Sequence, residues 1–351
     1  MKKFLPFILV ILLLAAGATW FILHRTSGTI DNEEDAFAVK NKKDITKIIL
    51  SDTDHKRVEL TKVNGIWMAN GKYVAREDLV VQLFDVISRI KTLSRVPKAG
   101  HDYVVRSLFE KNIRVEVYTD DNTHPAVAYY VGNPTPDGNG TYMLREVDGK
   151  PEERPFITYL PGLMGYLTPR YQTDIEIWRS RVMFKYTPSD IKSFSLEYPA
   201  EENKSFSITQ VAKDSFSLSP LNPQFAINQP YQQKYVEQYL EFYSSISFET
   251  FDNTNPSKDS VVHTTTPYCI FTITDNNNKV NKAKLFYQPI NKRSKMPWDA
   301  NGKPMTYDVD HYFASINNDQ DFTVVQYYVF GKLLRSYQDF FFKPGTVAQE
   351  K

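Results

Sequence analysis

The residues that most often perform catalysis or bind metals do not form a recognisable motif in this sequence. The chain contains six histidines, which are scattered: His24, His55, His101, His124, His263 and His311. No two of them are four positions apart, so the arrangement by which one helix face binds zinc is missing. Carboxylates are numerous, but an acid–base pair requires a defined separation in space that a sequence does not reveal. The sequence therefore predicts no catalytic residue, no metal site and no cofactor.

The single cysteine, Cys269, is predicted to be structural. It alternates with Phe271 and Ile273, which places it on the inward face of a strand. A buried free cysteine is usually inert. One cysteine also excludes a disulfide bond within the chain.

A glycine-rich stretch, Gly132–Gly140, resembles part of a calcium-binding loop. The match fails because Leu144 stands where the bidentate glutamate belongs, and no Gly-Lys-Ser/Thr follows to bind phosphate. Two interpretations remain: a tight turn between strands, favoured by the turn-forming residues, or a loop that contacts a partner. The residues predicted for such a contact are Asn133, Pro134, Asp137, Asn139, Trp178 and Arg179. For Trp178, packing between two domains is favoured over ligand binding.

These residues must be positioned by a domain that follows an uncharged apolar segment, Phe4–Leu23. At about 1.5 Å per residue, a helix of this length spans a bilayer. The alternative is a cleaved signal peptide with a small-residue site at Ala16–Ala18. We expect an uncleaved anchor at residues 1–23 and a polar tether at 24–43. The protein is then a single-pass protein of the inner (cytoplasmic) membrane, with its soluble domain on the periplasmic or extracytoplasmic side.

The composition of the whole chain favours a folded, strand-rich protein. Lys and Arg number 42 against 41 Asp and Glu, a balance that argues against a nucleic-acid-binding protein. Aromatic residues make up 14% of the chain, which favours strands. The length suffices for two domains.

An internal repeat organises those domains. The first unit is predicted at 44–173, a connector at 174–189 and the second unit at 190–351. The apolar positions of a predicted helix, Arg76–Lys91, recur 156 residues later as apolar or aromatic positions. Ile113, Val115 and Val117 correspond in the same way to Cys269, Phe271 and Ile273. The predicted fold is α+β: a tandem duplication of a mainly antiparallel sheet with one packed helix per unit, behind one N-terminal transmembrane helix.

The second unit contains a basic stretch, Asn291–Lys295, directly before Met296, Pro297 and Trp298. The first unit has no counterpart of it. Two interpretations remain for this stretch: a solvated loop, or a site for an anionic partner or lipid headgroups.

Several segments resemble the bacterial family known as domain of unknown function 4340. They are Asp44–Ile48, Trp67, Asn70–Tyr73, Asp78–Lys91, Val96–Lys98, Tyr130–Asp137, Gly140–Met143, Pro161–Gly162, Gly165–Tyr171 and Trp178–Arg181. The first unit carries most of the resemblance, which is to Bacteroidetes-type members with a single span. It implies no established activity and supplies no catalytic residues. Because some members are encoded near ABC-type transporters, it implies such a membrane complex as a partner.

Together these observations favour a non-enzymatic envelope protein that binds or scaffolds a protein partner. An envelope hydrolase or carbohydrate-binding enzyme, with a site between the two units, is the alternative. A purely structural spacer is a third hypothesis, and it predicts no saturable binding.

Overall fold

The structure is a computed structural model that describes residues 33–120, 123–213 and 215–341. The predicted anchor, Phe4–Leu23, lies outside these ranges. Among the residues described, no helix is long and apolar enough to cross a membrane. The chain divides into two compact units between Ser180 and Arg181, inside the predicted connector.

From Lys42 onwards, the described part of the first unit contains three α-helices and ten strands. Its helices are α1 Glu77–Arg89, α2 Lys98–Glu110 and α3 Ile175–Trp178. Its strands are β1 Lys47–Asp52, β2 Arg57–Val63, β3 Ile66–Ala69, β4 Tyr73–Val74, β5 Lys91–Arg95, β6 Ile113–Tyr118, β7 Val127–Pro134, β8 Thr141–Val147, β9 Lys150–Pro151 and β10 Phe156–Tyr159.

The second unit likewise has three α-helices and ten strands in the part of the chain described. Its helices are α4 Gln233–Glu241, α5 Lys258–Thr264 and α6 Tyr327–Phe330. Its strands are β11 Val182–Phe184, β12 Ile191–Glu197, β13 Phe206–Ala212, β14 Ser215–Pro220, β15 Ile246–Ser247, β16 Thr250–Phe251, β17 Cys269–Asp275, β18 Val280–Pro289, β19 Tyr307–Ile316 and β20 Asp321–Gln326.

The fold is α+β with antiparallel sheets, as the sequence predicts. In the first sheet the strand order is β4-β3-β2-β1-β6-β7-β8-β10-β5, with β9 beside β8. In the second it is β14-β13-β12-β17-β18-β19-β20-β16, while β11 and β15 form a separate pair. From β3 to β5 and from β14 to β16, the two sheets follow the same order.

The predicted amphipathic helix is present as α1. Val80, Leu83 and Val86 lie on its buried face and pack in the core of the first unit. Asp78 is in its first turn, where the helix dipole favours an acid, and accepts a hydrogen bond from the Arg76 guanidinium at 3.1 Å. α4 plays the same part in the second unit, with Val236 and Leu240 buried in the core.

The prediction of one helix per unit is wrong, because each unit has a second helix on the opposite face of its sheet. Tyr130 lies among the residues packed around α2, whereas Val131, its neighbour on β7, lies in the main core. Successive side chains of a strand point to opposite faces, so α2 covers the second face. α5 does the same through Val262, which packs with Phe286 of β18. Sequence periodicity misses α2 because Val104 and Leu108 are its only fully buried apolar residues.

Candidate functional site

A groove of about 440 Å³ opens in the first unit, where β1 and β7 end and β6 begins. Most of its lining residues carry polar side chains, among them Asp52, Asp54, Lys111, Asn133, Tyr166 and Gln172. A segment late in the unit, residues 166–173, closes one side of it. The groove therefore gathers short pieces of chain that are far apart in the sequence.

Asp52, the last residue of β1, fixes the position of that closing segment. One carboxylate oxygen accepts a hydrogen bond from the Thr173 hydroxyl at 2.5 Å. The other accepts from the backbone N–H groups of Asp54 and Lys56, each at 3.0 Å. Partial burial raises the pKa of Asp52, but the hydrogen bonds from Thr173 and the two N–H groups outweigh it, so that the pKa is lowered overall. The carboxylate is thus held ionised by groups that stabilise its charge.

The rest of the groove wall is tied together by hydrogen bonds to α2 and β7. The Thr168 hydroxyl donates to the Gly132 carbonyl at 2.7 Å, and the Asn133 amide donates to the Ser107 hydroxyl at 2.7 Å. A side chain at Gly132 would place its Cβ 2.6 Å from a methyl carbon of Leu108, so glycine is required for this close approach. The wall is therefore preformed, and its exposed charges are Asp54 and Lys111.

The predicted contact loop is a tight turn at the rim of this groove. The Thr135 hydroxyl donates to the Asp137 carboxylate at 2.5 Å and accepts from the Gly140 N–H at 2.9 Å. The hydrogen bond from Thr135 lowers the pKa of Asp137. Asn133, Pro134, Asp137 and Asn139 are exposed. Within the described ranges, no cluster of three or more His, Cys, Asp or Glu side chains could hold a metal ion.

Trp178 and Arg179, the other predicted contact residues, are buried in the first unit. Trp178 is 1% exposed, packs in the unit's core and donates its indole N–H to the Gln172 carbonyl at 2.8 Å. The Arg179 guanidinium lies 4.1 Å from the centre of the Tyr73 ring. Since its ring is inside the core, Trp178 supports the groove wall through Gln172 and is not available at the surface.

The second unit presents different chemistry at the corresponding position. Leu50 and Leu196 are equivalent core residues, paired with Val115 and Phe271. Two residues further along, Asp52 in the first unit corresponds to Tyr198 in the second. On the same basis, Asn133 corresponds to Tyr287, because Val131 pairs with Ile113 as Leu285 pairs with Cys269.

A row of neighbouring tyrosines extends from this point along the second sheet. We call it the tyrosine row, and its members are Tyr268, Tyr287, Tyr307, Tyr312 and Tyr327. Tyr268 stacks on Tyr312 with ring centres 5.5 Å apart, and Tyr287 stacks on Tyr307 at 5.0 Å. Exposure reaches 44% for Tyr287, 46% for Tyr307 and 50% for Tyr327. Contacts between its own rings therefore hold the row in place, while the side chains of its three outer members are about half exposed.

The tyrosine row is anchored at its inner end by Tyr198. Tyr198 is buried, packs edge-on against Tyr268 at 5.7 Å and donates to the Arg335 carbonyl at 3.0 Å. Burial, together with neighbouring tyrosines, raises the pKa of Tyr312 to about 12 and also raises the pKa of Tyr268. These phenols therefore remain neutral at physiological pH, able to donate and accept hydrogen bonds.

Sequence reasoning missed the tyrosine row because its members come from separate elements. Tyr268 precedes β17, Tyr287 lies in β18 and Tyr327 begins α6. The register of β17, β18 and β19, together with the position of α6 after β20, brings them together. The available signal was the abundance of tyrosine, 22 residues in all. In comparisons with protein-family models, curated proteins and solved structures, no match to this chain was found.

Proposed function

We propose that this chain is an exported, membrane-anchored envelope protein that binds a protein partner and acts as a scaffold without catalysing a reaction. The observation that carries the proposal is the tyrosine row, whose outer residues, Tyr287, Tyr307 and Tyr327, are about half exposed. Tyrosine is enriched at protein interfaces because its ring buries a large apolar area while its hydroxyl remains hydrogen-bonded.

The tyrosine rings are held in fixed positions, which favours recognition of a partner. A side chain that is already held loses little conformational freedom on binding. Tyr287 is held by stacking on Tyr307, and Tyr312 by stacking on Tyr268. The surface is therefore preorganised, and binding would cost little further ordering of these side chains.

The groove of the first unit is a second contact surface in this proposal. Its wall is fixed by the hydrogen bonds of Asp52, Thr168 and Asn133, while Lys111 and Asp54 supply exposed charges. Such a surface suits a polar segment of a partner. The exposed loop residues Asn133, Pro134, Asp137 and Asn139 lie where they could extend this contact.

The remaining parts of the proposal concern location and origin. We propose that Phe4–Leu23 anchors the chain in the inner membrane, since its apolar length matches a bilayer. The resemblance to domain of unknown function 4340 supports an ABC-type membrane complex as partner. The shared strand order and the matching core positions support a tandem duplication as the origin of the two units.

The test is crosslinking in intact cells with a tagged full-length chain, followed by detergent extraction and mass spectrometry. The variant Y287A/Y307A/Y327A removes the exposed part of the row. The control variant Y103A/F109A removes two aromatic side chains of α2 that are 74% and 68% exposed and lie outside the row. We expect the row variant to lose a membrane partner that the wild type and the control retain.

Equal recovery by both variants would contradict the proposed surface. Failure of the folded wild-type chain to capture any partner would favour the alternative, an envelope hydrolase or carbohydrate-binding enzyme.

A further inference from the structure

The loop between β18 and β19, residues 290–306, is a shaped protrusion of the second unit. Its base is closed by pairing of Pro289 with Tyr307 and by the Ile290 N–H, which donates to the Thr306 carbonyl at 3.2 Å. Nearer its tip, Trp298 forms an antiparallel bridge with Pro304. We call this segment the basic loop.

Side-chain hydrogen bonds hold the basic loop in shape. The Ser294 hydroxyl donates to the Asp308 carboxylate at 2.6 Å and accepts from the Asn291 N–H at 3.0 Å. The Asp299 carboxylate accepts from the N–H groups of Asn301 and Lys303, each at 2.8 Å. The tip therefore presents its side chains on a defined backbone.

The charge of the basic loop is strongly positive although the whole chain is nearly neutral. The loop contains four cationic side chains, Lys292, Arg293, Lys295 and Lys303, against one carboxylate, Asp299. All four cations are exposed. The carboxylate of Asp308, just outside the loop, is buried and accepts a hydrogen bond from Ser294, so it adds little negative charge to the exposed surface.

Two large apolar side chains stand among these charges. Met296 is 55% exposed and Trp298 is 59% exposed. Exposure of these apolar side chains to water is unfavourable, and a loop that is only solvated offers no compensation for it. The corresponding connection in the first unit, residues 135–140, contains neither a basic residue nor a large apolar one. The combination therefore belongs to the second unit alone.

We propose that the basic loop docks on the surface of an anionic bilayer. Trp298 and Met296 enter the headgroup region, where an indole is favoured, while the four cations bind the anionic headgroups. An acidic protein or nucleic acid would also attract the charges. A bilayer accounts in addition for the exposed tryptophan and methionine, and the proposed anchor would keep a membrane within reach.

This inference is independent of the partner proposed for the tyrosine row and can be tested without it. The full-length chain is reconstituted in phosphatidylcholine vesicles with and without phosphatidylglycerol, each made with ordinary or brominated acyl chains. Bromine quenches tryptophan that reaches the bilayer. The chain has four tryptophans, and subtracting the emission of the W298F variant isolates the signal of Trp298.

We expect bromine to reduce the Trp298 signal at least twofold in anionic vesicles and much less in neutral vesicles. The variant K292Q/R293Q/K295Q should lower the quenching to the neutral level. The control K56Q/K62Q/K72Q, which removes three exposed cations of the first unit, should leave it unchanged. Amide hydrogen exchange of β18 and β19 verifies that each variant is folded.

Unquenched Trp298 in anionic vesicles would overturn the proposal. Quenching that persists in the K292Q/R293Q/K295Q variant would overturn the role of the charges. Binding of the full-length chain to soluble heparin without quenching by lipid would assign the basic loop to a polyanionic macromolecule instead.

Discussion

The first unit has a carboxylate at the last residue of β1, whereas the second unit has a phenol directly after β12. Asp52 accepts a hydrogen bond from Thr173, and Tyr198 donates one to the Arg335 carbonyl. In both units this hydrogen bond joins the end of the strand to a segment late in the same unit. The position thus keeps its structural role while its chemistry, and the surface around it, has changed from a polar groove to an aromatic row.

The two cores show the converse: the same chemistry at different positions. Tyr129 and Tyr171 bring their hydroxyls within 3.2 Å in the first unit, and Tyr239 and Tyr243 within 2.7 Å in the second. Burial raises the pKa of all four residues, which keeps them neutral. Each core therefore contains one pair of buried phenols whose hydroxyls bond each other, although the two pairs occupy different positions in the fold.

Trp178→Ala should have the largest effect and should separate the two units. It removes a fully buried indole and its hydrogen bond to the Gln172 carbonyl, at a cost of about 3–5 kcal/mol of unfolding free energy. Because Trp178 packs in the first unit, amide hydrogen exchange should accelerate in β1 and β6 and change little in β12 and β17. Equal acceleration in both units would show that they unfold as one.

Asp52→Ala should destabilise the first unit by about 1–3 kcal/mol at pH 7, because it leaves the Thr173 hydroxyl and two N–H groups without their charged acceptor. The pKa of Asp52 is lowered by folding, so this stabilisation is complete above the unfolded pKa of about 3.9 and is lost as the pH falls through the folded pKa. In urea unfolding from pH 7 to pH 2, the difference in unfolding free energy between wild type and variant should shrink as the pH falls. A difference in unfolding free energy that stays constant across this pH range would contradict the stabilising role of the ionised Asp52 carboxylate.

Tyr198→Phe should have a smaller effect that does not depend on pH. It removes one neutral hydrogen bond, to the Arg335 carbonyl, which costs about 0.5–1.5 kcal/mol. Burial raises the pKa of Tyr198, so the phenol does not titrate between pH 3 and pH 8. Urea unfolding over the same pH range, followed by amide hydrogen exchange in β12, measures this cost. The difference in unfolding free energy between variant and wild type should not change with pH. A dependence resembling that of Asp52→Ala would contradict the contrast between carboxylate and phenol.

Tyr307→Ala should have the smallest effect on stability, within about 0.5 kcal/mol, because the side chain is 46% exposed. It should nevertheless reduce partner capture in cells, since it removes the ring that stacks on Tyr287. Thermal unfolding and quantitative crosslinking of the same preparation check both parts. A large loss of stability with unchanged capture would make the tyrosine row a structural feature only.

The sequence predicted those parts of the fold that depend on local pattern. The spacing of Val80, Leu83 and Val86 predicts α1, and the alternation of Cys269, Phe271 and Ile273 predicts β17. α2 was missed because its apolar stripe is too narrow to give a helical period. The registers that place Asp52 beside Thr173 and Tyr287 beside Tyr307 depend on long-range pairing, which a single sequence does not encode in any local pattern. The groove and the tyrosine row were therefore beyond prediction.

The most direct test of the tyrosine row is photocrosslinking in intact cells with a photoreactive phenylalanine in place of Tyr327. The same substitution at Tyr103, an exposed aromatic residue of the first unit outside the row, serves as the control. We predict one specific membrane-protein adduct from position 327 and none of that mass from position 103. The same adducts from both positions, or an adduct from position 103 alone, would contradict the assignment of the tyrosine row as the partner-binding surface.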